Sequence, residues 1–385
     1  MSPGKYFFLF ILFIFSCPAI DWIPLAEALD KIVISESKKP LSVSSVLGET
    51  TDESFEKVLK PRHFKFPEDH GPHPAFQNEW WYFTGNLMTD SGRKFGYQLT
   101  LFRNSLSAKT LRSSSSWKTN QIMMGHFALT DIQQQKHHSF ERFSRIALGL
   151  AGAQARPFRV WIEGWEVQGA AGENLAVTLS ASQDELSLQL SLVNTKPLVL
   201  QGNQGFSQKG SQAGNASYYY SYTRLASSGT VQIDSERFEV QGWSWMDREW
   251  STSALEKNQV GWDWFALQLE TGQELMYYQL RQKDGKPSPQ SSGVWVPQNG
   301  TPVKLSDDKV VIEVLNTWRS PSNKVYPIKW RLQEKSLGID LVITPYVRNQ
   351  EMTTSFLYWE GAVKVQGQQM KKSLQGRGYV EMTGY

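Results

Sequence analysis

A single cysteine, Cys17, among 385 residues excludes a disulfide framework, a cysteine-ligated zinc site and a thiol nucleophile in the folded part of the chain. Histidine is scarce too: the six stand at 63, 70, 73, 126, 137 and 138, which disfavours a three-histidine metal site. No Gly-x-Ser-x-Gly elbow, phosphate loop or His-Glu-x-x-His pair occurs, so the familiar hydrolase and nucleotide-binding readings fall away. Basic runs are missing. The 40 Lys and Arg are scattered among 37 Asp and Glu for a net charge of +3, and nucleic-acid binding is disfavoured. After the N-terminal segment no apolar run reaches the roughly 20 residues of a membrane-spanning helix.

What is abundant is aromatic surface. Fifteen Trp, 14 Tyr and 20 Phe make up 13% of the chain, more than an ordinary core requires, and point to a broad, flat ligand. Apolar residues at 40% and charged residues at 20% are those of a globular protein, and the length suits two domains or more.

Residues 1–20 carry one cation, Lys5, then an apolar run from Tyr6 to Phe15 that ends at Ser16, Cys17 and Pro18. They read as a signal peptide for export to the periplasm. Ile14-Phe15-Ser16-Cys17 resembles a lipobox, which would leave Cys17 as a lipid anchor; cleavage after Ala19 or Ala28 would instead remove the cysteine. Residues 21–72, rich in Ser, Lys, Glu and Pro, read as a spacer or loosely docked arm.

From there the pattern has period two. Phe95, Tyr97, Leu99 and Leu101 recur at every second position, as do the apolar residues from Leu186 to Leu192 and from Leu337 to Ile343, which makes them strands with one buried face. Thr89-Asp90-Ser91-Gly92 and Glu270-Thr271-Gly272 are turn signals between such runs. Trp80-Trp81-Tyr82-Phe83, a turn, then Tyr97 and Phe102-Arg103 is echoed by Trp262-Asp263-Trp264-Phe265, a turn, then Tyr277 and Leu280-Arg281. A second echo sets Trp161-Ile162-Glu163-Gly164 against Trp359-Glu360-Gly361. The pattern predicts an all-β protein of two duplicated antiparallel barrels, residues 73–242 and 243–385, each with room for one apolar ligand.

Acids lie among the tryptophans: Glu79-Trp80-Trp81, Asp247-Arg248-Glu249-Trp250, Trp262-Asp263-Trp264 and Trp359-Glu360. Residues two apart on a strand share a face, so Glu79 goes with Trp81, Asp247 with Glu249, and Trp262 with Trp264. A carboxyl group desolvated by aromatics has a raised pKa and can donate a proton near neutrality. The competing reading is an acid bridged to an arginine such as Arg103, Arg248 or Arg281, and it applies above all to Glu79 and Glu360. His126 fits a satisfied core histidine as well as a ligand contact.

The segments Asn78-Glu79-Trp80-Trp81-Tyr82-Phe83-Thr84-Gly85, Gly125-His126-Phe127-Ala128-Leu129-Thr130-Asp131, Trp245-Met246-Asp247-Arg248-Glu249-Trp250 and Gly378 to Tyr385 resemble those of the carotenoid 1,2-hydratase and AttH-like family. The resemblance implies two consecutive lipocalin-like barrels in an exported protein that binds an isoprenoid or lipid and uses no cofactor. Its namesake enzymes add water to a terminal double bond, and the resemblance places Asp247, Trp250 and Tyr277 at that step. Glu249 joins them as the same-face partner of Asp247, while Glu79, Trp81, Tyr82, His126, Trp262 and Trp264 are the expected ligand contacts. Arg248 and Gln279 stand where the family pattern implies histidine and an acid. Other AttH-like proteins imply a lipid-binding accessory of an export permease, or a secreted hydrolase; a glycosidase pair is a further reading of the tryptophan-flanked acids.

Overall fold

The computed structural model describes residues 54–108, 115, 117–252, 255–299 and 301–385. The signal peptide, the lipid anchor at Cys17 and the first part of the arm lie outside these residues. Among the described residues no helix is long and apolar enough to cross a membrane.

The strands form two antiparallel sheets. The first holds β1 (Asn78–Met88), β2 (Lys94–Ser105), β3 (Gln121–Asp131), β4 (Lys136–Arg145), β5 (Ala151–Ala155), β6 (Phe158–Ile162) and β7 (Trp165–Ala171). It continues with β8 (Leu175–Gln183), β9 (Leu186–Asn194), β10 (Val199–Leu200), β11 (Phe206–Gln208), β12 (Ala216–Ile233) and β13 (Glu236–Ser251). The second holds β14 (Gln259–Leu269), β15 (Glu274–Gln282), β16 (Ser292–Val296), β17 (Val303–Ser306) and β18 (Val310–Arg319). Its remaining strands are β19 (Val325–Glu334), β20 (Ile339–Pro345), β21 (Glu351–Thr353), β22 (Leu357–Gln369) and β23 (Lys372–Met382).

Both sheets follow one plan. The first strand pairs with the last, β1 with β13 and β14 with β23, and the chain stays unpaired only at a seam after the fourth strand. In the first sheet that seam lies between β4 and β5 and the sheet is a nearly closed barrel; in the second it lies between β17 and β18 and leaves an open half-barrel. A closed or nearly closed barrel was expected in each half; the first sheet meets that expectation and the second corrects it. The plan itself is consistent with duplicated β-domains. The first sheet runs on to Ser251 and the second begins at Gln259, so Trp243–Ser251, counted above with residues 243–385, are hydrogen-bonded to β1 and β12.

The hairpin echo holds, since Trp80 to Phe83 and Trp262 to Phe265 occupy the first strand of each sheet. The second echo does not join equivalent strands: Trp161 is on β6, whereas Trp359 is on β22, next to last in its sheet. His137 and His138, with the residues around them, form a strand, and His137 Nδ1 meets Thr130 Oγ1 at 2.8 Å.

The described part of the arm is firmly docked. Val58 enters the core of the first barrel, with Phe64 and Phe66 packed against it. His70 Nδ1 meets the Tyr220 hydroxyl at 2.6 Å, and Trp81 Nε1 donates to the His70 carbonyl at 2.7 Å.

Side chains of alternate residues fill both barrels. Trp81, Phe83, Leu99, Phe127 and Trp165 belong to the first core, and Phe265, Tyr277, Trp330 and Trp359 to the second. The other faces of β1, β13, β14, β15 and β23 are apolar as well, with Tyr82, Trp245, Trp264, Met276 and Tyr379 forming a third cluster between the sheets. Strands buried on both faces read as nearly continuous apolar runs. Glu274 ties the sheets together: it accepts from Arg224 Nε at 2.5 Å and from Lys196 Nζ at 2.8 Å.

Candidate functional site

A pocket of about 150 Å³ opens between the two sheets, outside both barrels. Ligand space was expected inside each barrel; there apolar side chains pack the cores, and this pocket lies at the junction. Half-exposed Trp80, Phe102, Met124, Leu255 and Trp262 surround the pocket, and Tyr82, Trp264 and Tyr278 are buried in its walls. Tyr82 meets Trp264 edge to face with ring centroids 5.2 Å apart.

Three acids line it: Asp247 and Glu249 from β13, and Glu381 from β23. Asp247 accepts hydrogen bonds from the Tyr219 hydroxyl and Ser221 Oγ at 2.5 Å each, and from Trp245 Nε1 at 2.7 Å. Burial pushes its carboxyl up to about 7 against these three donors, with the Glu249 charge adding to the rise. Trp264 Nε1 donates to the Tyr219 hydroxyl at 3.2 Å, so the second sheet helps to fix the tyrosine that holds Asp247. Glu249 faces the one lysine of the lining, Lys209, at 3.2 Å, and the Lys209 ammonium sits 4.0 Å from the centre of the Tyr278 ring.

Glu381 accepts from Trp262 Nε1 at 2.7 Å. Burial raises its carboxyl to about 7, and the charges of Asp247 and Glu249 push the same way. Behind it Glu360 on β22 accepts from the Tyr82 hydroxyl at 2.5 Å; burial and the Glu381 charge hold its pKa well above the carboxylate range. His126 lines the pocket with Nδ1 at 2.8 Å from the Tyr358 hydroxyl and Nε2 at 3.0 Å from Glu141. Burial lowers its pKa and keeps it neutral. Among the described residues no group of three carboxylates, histidines or cysteines is placed to hold a metal ion.

The structure therefore brings together Asp247, Glu249, Tyr82, His126, Trp262 and Trp264. It places the other four expected site residues inside the barrels. Glu79 is buried between Arg103 and Arg248, whose charges outweigh the burial that would raise its pKa and hold it well below the usual range. Trp81 lies under the Arg248 guanidinium at 4.0 Å, and Trp250 stacks on His73 at 3.8 Å. Tyr277 belongs to the core of the second sheet. All four sit on the strand face turned away from the junction.

Glu381, Tyr219 and Lys209 were not singled out from the sequence; Glu360 was, as an acid beside Trp359 with an arginine bridge as the competing reading, and the structure sets it against the Tyr82 hydroxyl instead. A signal for Glu381 existed in the duplication. Tyr82 and Trp264 match in the hairpin echo; Tyr82 pairs with Asp247 and Trp264 with Glu381, so the last strand of each sheet presents an acid at the same place.

The AttH-like family profile matches residues 57–385. The chain belongs to the AttH-like family. A crystal structure of a Nitrosomonas europaea protein described as AttH is 32% identical to this AttH-like chain, with a TM-score of 0.76 over 86% of this chain and all of that one. Kievitone hydratase of Nectria haematococca shares 15% identity and a TM-score of 0.66, and covers 86% of this chain with 97% of its own. CghA, solved with Sch210972, shares 13% identity and a TM-score of 0.55, with the same two coverages. The last two show a common fold with this AttH-like chain. A search of curated proteins found no match.

Proposed function

We propose that the junction pocket binds a small, largely apolar, isoprenoid-like molecule and adds water to its carbon–carbon double bond by acid–base chemistry of the pocket carboxyl groups. The observation that carries this reading is Asp247: a buried carboxyl poised near neutrality in the wall of an aromatic pocket. Hydration of an alkene requires a proton donor, a passing carbocation and a water whose proton is removed. The faces of Trp80, Tyr82, Trp262 and Trp264 suit the cation, at roughly 0.5–2 kcal/mol for each ring that faces it. The resemblance to carotenoid 1,2-hydratase points the same way. Export to the periplasm, with or without an anchor at Cys17, belongs to the same proposal and rests on the run Tyr6 to Phe15.

The alternative is a carrier that binds without converting, as an accessory of an export permease. Incubation with an acyclic terpenoid alkene in heavy-oxygen water separates the two. Labelled alcohol from the wild type, reduced on the order of 10²–10⁴-fold in Asp247→Asn, supports hydration. Saturable binding with no labelled product selects the carrier.

A further inference from the structure

Acids reach the pocket from both sheets, and those of the second stand in an unusual relation. Glu360 and Glu381 are directly opposite each other in the antiparallel register of β22 and β23. Two carboxylates in cross-strand contact repel, and burial removes the water that would screen them. The lysine of the pocket lining is already paired with Glu249. The groups that face the pair are Tyr82 from β1, Asp247 and Glu249 from β13, Tyr358 on β22 and Tyr379 on β23. None of them is a cation. Glu360 is 1% exposed; Oε1 is held by Tyr82, no donor comes within direct hydrogen-bond distance of Oε2, and the Tyr358 hydroxyl is the other group that bears on the carboxyl. A buried carboxyl oxygen without a donor is the place for a proton of its own.

We infer that Glu360 and Glu381 hold one shared proton at neutral pH, and that Glu381 delivers it to the ligand while Asp247, on the wall built by the other sheet, acts as the base. This deepens the hydration reading and rests on it. Asp247 suits the base because three donors converge on it, and hydrogen bonds to the charged form favour that form. In the first step the Glu381 O–H bond breaks and a C–H bond forms at one alkene carbon, with the π pair supplying the electrons and the positive charge falling on the other carbon. A water oxygen then bonds to that carbon and its surplus proton passes to the Asp247 carboxylate. The sum is one water added.

A path for reloading the pair runs through Tyr358, which acts on the Glu360 carboxyl. Tyr358 precedes Glu360 by two residues on the same face of β22, and its hydroxyl meets His126, which meets Glu141. The Glu141 side chain is 15% exposed and so reaches solvent. A neutral imidazole can take a proton at one nitrogen and release one at the other.

The test is difference infrared titration of the full chain in ordinary and heavy water, with E360Q, E381Q and D247N beside the wild type. The wild type should show a protonated-carboxyl band at neutral pH, and its midpoint should drop by about one unit or more in each glutamate variant, because coupled acids titrate as a pair. No such band at neutral pH, or a midpoint that either glutamate substitution leaves in place, overturns the shared proton. If a glutamine variant fails to fold, E360D or E381D, which keep the carboxyl, must retain the band. Terpenoid turnover is read separately. E381Q should lower it on the order of 10²–10⁴-fold, and turnover unchanged in E381Q removes Glu381 as donor. A coupled pair in a protein that forms no alcohol defeats the hydration reading and leaves the shared proton standing.

Discussion

Asp247 and Arg248 are neighbours in the chain and face opposite sides of β13: the carboxyl lines the pocket between the sheets, and the guanidinium lies inside the first barrel against Glu79 and Trp81. Period-two alternation makes this unavoidable in a strand buried on both faces. The departure of residue 248 from the family pattern therefore changes the barrel interior and leaves the pocket wall as it is.

Replacing Arg248 should cost stability without touching the ligand. Arg248→Met leaves Glu79 fully buried with Arg103 as its remaining arginine partner, and breaking a buried pair from one side costs roughly 3–5 kcal/mol. Urea denaturation should show that loss, and the folded variant should bind an apolar probe with wild-type affinity. Affinity lost at unchanged stability would place Arg248 at the pocket instead.

Stability should fall as the pH rises from about 6.5 to about 8. Asp247 and Glu381 titrate near 7 in the folded chain, against about 3.9 and 4.3 when unfolded. The folded state thus keeps protons that the unfolded state has lost, and that stabilisation disappears as the pH climbs through the folded values. The lowered histidines His70, His126, His137 and His138 act in the opposite sense, but only below about 6.5, where the unfolded chain begins to protonate them. Thermal melts across the window should show Tm falling for the wild type and a flatter profile for Asp247→Asn. A rising Tm contradicts the raised acids.

The close approach of the sheets at Gly96 gives a third test. A Cβ there would stand 2.6 Å from the Cβ of Ala362 in the other sheet. Alanine in place of glycine ordinarily favours a strand, yet Gly96→Ala should destabilise by roughly 1–3 kcal/mol through overpacking. Adding Ala362→Gly should recover part of the loss. If the double variant is no more stable than Gly96→Ala, the contact does not limit how near the sheets come.

The sequence by itself determined the strands, the turns and which residues share a face. Asp247 with Glu249 and Trp262 with Trp264 are legible because alternation is a local property of extended backbone. The first hairpin echo located the first strand of each sheet for the same reason. Alternation cannot say which of two apolar faces looks into a barrel, and so Glu79, Trp81, Trp250 and Tyr277 read as site residues although they lie in the cores. Only the tertiary structure decided that a pocket opens between the sheets. It alone set Glu360 beside Glu381, since that pairing depends on the register of β22 against β23, and Tyr82, 278 residues away in the chain, on Glu360. Contacts between distant strands are fixed by how two cores pack against each other, and no local pattern encodes that.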